Sequence, residues 1–582
     1  MDRMRLHAGL YAVVIAAFSL IACSGVLPPA VELAGFETDF FNSRYAAHPV
    51  DASAQGLRQY DGSLDDLSSR GIGRRQDELA RQLVRLLTLR AAELTPQEEI
   101  DGALMENAIR WELYELKHLR SWRTRPELYV DVARRKLERS ARRRYASSSD
   151  RVKALVISIN EIDALMAAMR ANVEDPSATA MRRGINSCER LVAALRAELA
   201  EWGKEAAGVD SRLATMFSSG SVGAAEAVEQ SLGWLRGQST DSGAEEPPIG
   251  PENLVMAVLF DSMVETPLSE LQRLAAANLE RDYRALLEVA EQAAPGRDLA
   301  AALEMLAATG LSESELPAAS LERINGTVQF LNAKGLVPLP EEVGVQKRYH
   351  AELRWNSLRS PFSPYFVDLP PAELGGREEP LDGYLVLSPP APEWPAELKS
   401  IQSGQFSPEE LQLEAAASIA PGRYLQALHT VRYPSRAGRL LGSRVTRDGW
   451  AHYAEHVVVD EGLGNNDPRL KLMLLYRAVV NDCRFVASIA RHARGSSDEE
   501  IAALFVEWTG MDGTRARLEA ERVSMEPMAL AAALGKSLIR QLREDYRRAK
   551  GDAYSLRGFH EDFLRQGGLP IPLIRKELLG GT

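Results

Sequence analysis

The run His452-Tyr453-Ala454-Glu455-His456 spells H-x-x-E-H, an inverted form of a zinc-hydrolase motif. Two histidines four residues apart share one face of a helix, and a glutamate between them can act as base toward a metal-bound water. On a helical wheel Asp448, His452, Glu455 and His456 fall within about 100° of one another, opposite Trp450, Tyr453, Ala454 and Val457. A catalytic zinc takes about three protein ligands and a water. The string offers two histidines, and no recognisable motif elsewhere offers the acid that would complete the set. Five residues with three fixed types arise readily in a long helical chain, so a polar helix face without metal is the competing reading. Other catalytic strings are missing: there is no Gly-x-Ser-x-Gly elbow and no phosphate-binding glycine loop followed by lysine. His429, in Leu428-His429-Thr430, reads as a cleft or surface histidine.

The elements that must position these residues are helices. Val152, Leu155, Val156, Ile159, Ile162, Leu165, Met166 and Met169 follow the helical period, and Leu104, Ala108, Leu113 and Leu116 do so more loosely. Ser407-Pro408-Glu409-Glu410 is a helix start: a capping hydroxyl, proline in the first turn, then acids that suit the helix dipole. That helix runs into Ala416-Ala417-Ser418 and is disturbed at Pro421. Gly237 to Asn253 reads as a surface loop, and the proline-rich stretch Ser360 to Trp394 contains the best strand, Tyr384 to Leu387. The fold class is therefore mainly α, with a small β element around 380–390.

Bulk properties narrow the compartment and partners. Arg3 and Arg5 precede an apolar run, Ala8 to Ala22, too short for a comfortable membrane span. It ends in Leu20-Ile21-Ala22-Cys23, which resembles a bacterial lipobox, so residues 1–22 read as a signal peptide and Cys23 as the lipidated first residue of the mature chain. Residues 23–39 read as a tether. Ser24, and not Asp, after the cysteine favours the outer membrane over the inner one. The formal charge of -12 becomes -13 once Asp2, Arg3 and Arg5 are removed, which argues against nucleic acid as a partner. The one basic run, Arg134 to Arg144, is interrupted by Leu137, Glu138 and Ala141 and reads as a solvated helix face. Cys188 and Cys483 each sit on an apolar helical stripe and read as buried free thiols.

Two further segments carry a family resemblance. Ala416-Ala417-Ser418-Ile419-Ala420-Pro421-Gly422-Arg423-Tyr424-Leu425-Gln426 resembles HEAxPGHHLQ, and Asp448-Gly449-Trp450-Ala451-His452-Tyr453-Ala454-Glu455 resembles EGWALYAE. These are motifs of a zincin-like bacterial family known only as domain of unknown function number eight-eight-five. The likeness extends from Gly56-Leu57-Arg58-Gln59-Tyr60-Asp61 to Gly568-Leu569-Pro570-Ile571-Pro572. It implies one large helical domain over residues 40–582, with two lobes around a cleft.

The same resemblance implies a site that has lost its metal. The family's HE pair, ligand and base, falls on Ala417 and Ser418; its two histidines fall on Arg423 and Tyr424; the glutamate of EGW falls on Asp448. Alanine has no lone pair to give, and serine is too weak a base to activate water. A guanidinium at Arg423 would repel zinc, since two unit charges 4 Å apart interact by about 4 kcal/mol at an effective dielectric near 20, and a divalent ion doubles that. Arg423 is expected to fill the vacated space and pair with Asp448. Glu455 and His492, from the likeness of Arg484-Phe485-Val486 through His492 to RLVVDTGIH, are further cleft candidates. The expected protein is a lipid-anchored envelope protein without peptidase activity or cofactor, held to the membrane through Cys23. It would bind a peptide or envelope protein in the cleft, with Tyr384–Leu387 as a pairing strand. The rival is an active zinc peptidase using His452, Glu455 and His456.

Overall fold

The computed structural model describes residues 29–142, 146–238, 246–308, 310–353, 364–373, 382–390, 396, 399, 402 and 405–580. The signal segment and Cys23 lie outside them. No helix among the described residues is long and apolar enough to cross a membrane.

Chain order begins with a helix, Pro29–Ala47, across the second half of the segment read as a tether. Leu33, Phe36 and Phe40 recur every three or four residues, and all three are buried in the main core. That stripe, too short to stand out beside a signal sequence, makes residues 29–39 part of the folded body.

Two hydrophobic cores organise the helices. The smaller joins helices Glu127–Arg142, Ser148–Asn160, Ile162–Asn172, Ala178–Arg196, Glu198–Ala207 and Ser211–Gly237. The stripe from Val152 to Met169 lies wholly inside it, as does Cys188, a free thiol. The basic run departs from a solvated face here. Lys136 is only 2% exposed and donates to Ser53 Oγ at 3.0 Å and to the Tyr60 carbonyl at 3.2 Å. Its neighbours Arg134 and Arg135 pair with Asp131, Glu138 and Asp51. Charge runs are read as surface by default, but a lysine on the inner side of the helix finds hydroxyl and carbonyl partners there.

The larger core holds most of the rest, beside a small third cluster of Leu316, Leu387, Phe406 and Leu411. Its axis is the helix Arg444–Asp460, crossed closely by Ala531–Lys550. Glycine makes this crossing possible: a Cβ on Gly449 would stand 2.4 Å from Gly535 Cα, and one on Gly535 2.0 Å from the Val445 carbonyl oxygen. A second long pair, Leu268–Ala293 and Pro468–Arg494, packs alongside. The β element has three strands, β1 (Tyr349–Leu353), β2 (Tyr365–Asp368) and β3 (Gly383–Leu387), in the order β1-β3-β2. β3 runs parallel to β1 and antiparallel to β2. The strand expected at Tyr384–Leu387 is thus present but central, which removes it as a docking edge.

Candidate functional site

A cavity of about 460 Å³ opens within the larger body, and its described lining residues lie between Pro364 and Ala532. The helix Pro408–Ser418 forms one wall. It starts as its sequence dictates, with Ser407 Oγ accepting from the Glu410 backbone N–H at 3.2 Å. The chain then turns at Pro421-Gly422, where a Cβ on Gly422 would lie 1.8 Å from the Ala417 carbonyl oxygen. Trp450 Nε1 donates to the Pro421 carbonyl at 2.8 Å, which ties this turn to the central helix. The proline, glycine and tryptophan of the two motif segments are therefore structural joints.

Positions 423 and 424 part company. Arg423 lines the cavity, and its Nε lies 3.7 Å from Asp448 Oδ1. The anticipated pair is thus formed, and Arg444 Nε adds a second contact to Asp448 at 3.2 Å. Burial works against ionisation of Asp448, yet Arg423, Arg447 and Arg444 together hold its carboxyl below the usual range. Tyr424 instead is buried in the core. A Cβ on Gly383 would stand 2.5 Å from its ring, so β3 begins with glycine to let the ring pack. Ala417 and Ser418 both line the cavity, and Ser418 Oγ donates to Glu414 Oε1.

Arg477, which no motif flagged, is the hub of the deep wall. It holds Glu410 at 2.5 Å, Glu414 at 3.3 Å and Glu455 at 3.0 Å. Burial lifts Glu455 and Glu410 above the ordinary carboxylate range, with Arg477 opposing. Glu455 Oε1 in turn meets His452 Nδ1 at 2.7 Å. Burial, then the charges of Lys536 and Arg477, push His452 well below its ordinary pKa, so the ring is neutral. With Nδ1–H donating to Glu455, Nε2 is left as a bare acceptor, and it has no hydrogen-bond partner among the described residues.

The H-x-x-E-H set is divided. His452 and Glu455 line the cavity, whereas His456 faces Lys536, whose Nζ lies 3.4 Å from His456 Nε2 and 3.0 Å from Asp282 Oδ2. Asp482, fully buried, shares this nest; burial lifts its pKa to about 7, with Lys536 opposing and Asp282 reinforcing. A divalent ion on His456 would meet the Lys536 ammonium at roughly 4 Å, a repulsion of about 8 kcal/mol at an effective dielectric near 20. Among the described residues no group of three or more His, Cys, Asp or Glu side chains is arranged to hold a metal ion.

Two expectations are corrected by position. His492 is buried away from the cavity, its Nε2 against the Val523 carbonyl at 2.8 Å; burial, the largest effect, lowers its pKa to about 4. A histidine inside a helix stripe finds a backbone acceptor as easily as a cleft. The strand beside the cavity is β2, through Tyr365, Phe366 and Val367, because β3 is enclosed by its two neighbours. Arg484 does line the cavity, clasping Glu519 at 2.8 and 2.7 Å. His429 is half-buried outside the cavity walls.

The fold and cavity define a large, mainly helical protein whose central helix and proline–glycine turn frame an arginine-rich pocket. The chain belongs to the family described as bacterial protein of unknown function (DUF885), whose model matches residues 49–578. Solved structures similar to it include a candidate lipoprotein of unknown function from Shewanella oneidensis, 21% identical, with a TM-score of 0.75 over 96% of this chain and 100% of that one. Another is a candidate lipoprotein from Colwellia psychrerythraea, 16% identical, with a TM-score of 0.77 over 95% of this chain and 99% of that one. Both share the fold. No curated protein matches the chain.

Proposed function

We propose that this is a lipid-anchored cell-envelope protein that binds an extended polypeptide in the cavity beside β2 and does not hydrolyse it by zinc chemistry. The observation that carries the reading is the occupation of the cavity by cations. Arg423 pairs with Asp448 at positions where the motif resemblance would have metal ligands, and Arg477, outside the motifs, engages Glu410, Glu414 and Glu455 on the same cavity. The zincin-like frame is then kept for shape: Gly422, Gly449 and Trp450 fix the walls, and Ala417, Ser418 and Arg423 leave a pocket without hydrolytic machinery. A pocket with an apolar side at Val367 and Met473 and a polar floor at His452 suits a peptide backbone with mixed side chains. Anchoring is supported by Leu20-Ile21-Ala22-Cys23 and by the candidate-lipoprotein description of both solved relatives; Ser24 favours the outer membrane.

The test is direct binding of fluorescein-labelled hexapeptides to the full-length protein, followed by anisotropy, beside a cavity-filling variant. Ala532 is a partly exposed wall residue, so Ala532→Trp fills space without burying a new polar group. Saturable binding that Ala532→Trp weakens at least tenfold is expected. Hydrolysis of the peptides with one zinc per chain would overturn the reading.

A further inference from the structure

Among the described residues six arginines and five carboxylates line the cavity, and they are not evenly matched. Glu410, Glu414 and Glu455 are all held by Arg477, Glu519 is clasped at both oxygens by Arg484, and Asp448 is shared by Arg423 and Arg444. Every lining carboxylate is therefore taken. Arg447, Arg515 and Arg522 are the remaining lining arginines. Arg447 is exposed at the rim and hydrogen-bonds to no carboxylate among the described residues. Arg515 lies over the Tyr476 ring, 5.5 Å from its centroid. Among the described residues Arg522 pairs only with Glu526, at 4.0 Å, and Arg444 already holds that carboxylate at 3.0 Å. The proximity of Arg484 is the largest influence on Arg522 and disfavours its charge, whereas Glu519 and Glu526 favour it.

Crowded guanidiniums in a partly enclosed pocket attract an anion, and the fork of arginine matches a carboxylate with two parallel hydrogen bonds. A second feature points to a ligand in the same cavity: His452, 3% exposed and lining it, keeps Nε2 as a buried acceptor without a partner among the described residues. A ligand that satisfies both carries an anionic group and an N–H donor, as the end of a polypeptide does.

Building on the peptide-binding reading, we propose that Arg447, Arg515 and Arg522 form a carboxylate-recognition subsite, so that the cavity takes peptides bearing a free C-terminal carboxylate or an acidic side chain, with a ligand N–H donated to His452 Nε2.

Three hexapeptides of alternating alanine and valine, each with an uncharged N-terminal dansyl label, separate the possibilities: a free C-terminal acid, its C-terminal amide, and the amide with one internal glutamate. They are titrated into the full-length protein at low salt. A charge-assisted pair of hydrogen bonds is worth about tenfold or more in affinity, so either carboxylate peptide should bind at least that much more tightly than the neutral amide. Tighter binding of the free acid alone assigns the subsite to chain termini; tighter binding of both assigns it to carboxylates in general. In Arg447→Gln/Arg522→Gln the preference for the carboxylate peptides over the amide should collapse. His452→Phe should weaken all three peptides alike. Far-ultraviolet circular dichroism of each variant establishes that it is folded, and Arg522→Lys, keeping charge but losing the fork, should retain part of the preference. Equal affinity of acid and amide, or a preference that survives the double variant, overturns the subsite and leaves peptide binding standing. Failure of all three peptides to bind overturns both.

Discussion

Arg477→Met is the sharpest probe of the site's electrostatics. Methionine keeps an unbranched apolar stem but ends short of the guanidinium, so it removes the cation and the N–H donors that Glu410, Glu414 and Glu455 share at 2.5, 3.3 and 3.0 Å. Glu455 is 1% exposed and Glu414 6%, so these acids gain little water when the guanidinium goes. Carboxylates on opposite sides of one guanidinium lie roughly 5 Å apart, and each such pair repels by about 3 kcal/mol at an effective dielectric near 20. Breaking a buried ion pair by removing one partner costs about 3–5 kcal/mol, the same size.

The sign with pH follows. Glu410 and Glu455 are already raised by burial despite Arg477, and without it they rise further. A carboxyl raised above its unfolded value destabilises as pH climbs past that value, near 4.5, because the unfolded chain ionises freely and the fold does not. The defect of Arg477→Met is therefore smallest near pH 5 and largest at pH 8. The m-value grows with the surface exposed on unfolding, and at about 6 kcal/mol/M for a chain of 582 residues the midpoint at pH 8 should fall by roughly 0.5–0.8 M. Urea titrations followed by far-ultraviolet circular dichroism at both pH values measure it. A loss below about 0.3 M, or one identical at both pH values, would refute the reasoning.

Three other outcomes are expected. Gly449→Ala places a Cβ 2.4 Å from Gly535 Cα, a backbone contact no side chain can relieve, so the two helices must separate; thermal denaturation should show a loss at or above the upper end of the roughly 1–3 kcal/mol of ordinary overpacking. Asp482→Asn mimics the protonated form of a carboxyl whose pKa is lifted to about 7 in the fold; it should stabilise the protein at pH 8 and change it little at pH 5, as comparative urea midpoints will register. His48 is lowered by burial but raised more strongly by Asp65 and Glu112, to about 9; its stabilisation is complete below its unfolded pKa of 6.5 and lost as pH rises through 9, so His48→Gln should narrow the stability gap between pH 6 and pH 10 in the same assay.

Much of the fold was legible because periodicity reports one-sided burial. The stripe Val152 to Met169, the capped start at Ser407, and the strand at Tyr384 each follow from local chemistry and recur in the structure. What escaped depends on partners far away in sequence. Lys136 is inside because Ser53 and Tyr60 accept from it, β3 is central because β1 and β2 flank it, and His492 is structural because Val523 offers a carbonyl. The two motif segments located the cavity, yet its hub Arg477 and the nest of Lys536, Asp282 and Asp482 lay outside them. A signal was available: Arg477, Asn481 and Arg484 interrupt the apolar helix Pro468–Arg494 on one side, opposite Glu410 and Glu414, which are themselves four apart. Polar residues on one face of an otherwise apolar helix mark a lined cavity or a buried network.

The most direct test of a cation-filled, non-hydrolytic cavity is the metal content of the full-length protein, purified without chelators and analysed by mass spectrometry beside His452→Ala. The cations at Arg423, Arg477 and Lys536 predict far less than one zinc per chain, unchanged in the variant. One tightly held zinc per chain, lost together with peptide hydrolysis in His452→Ala, would contradict it.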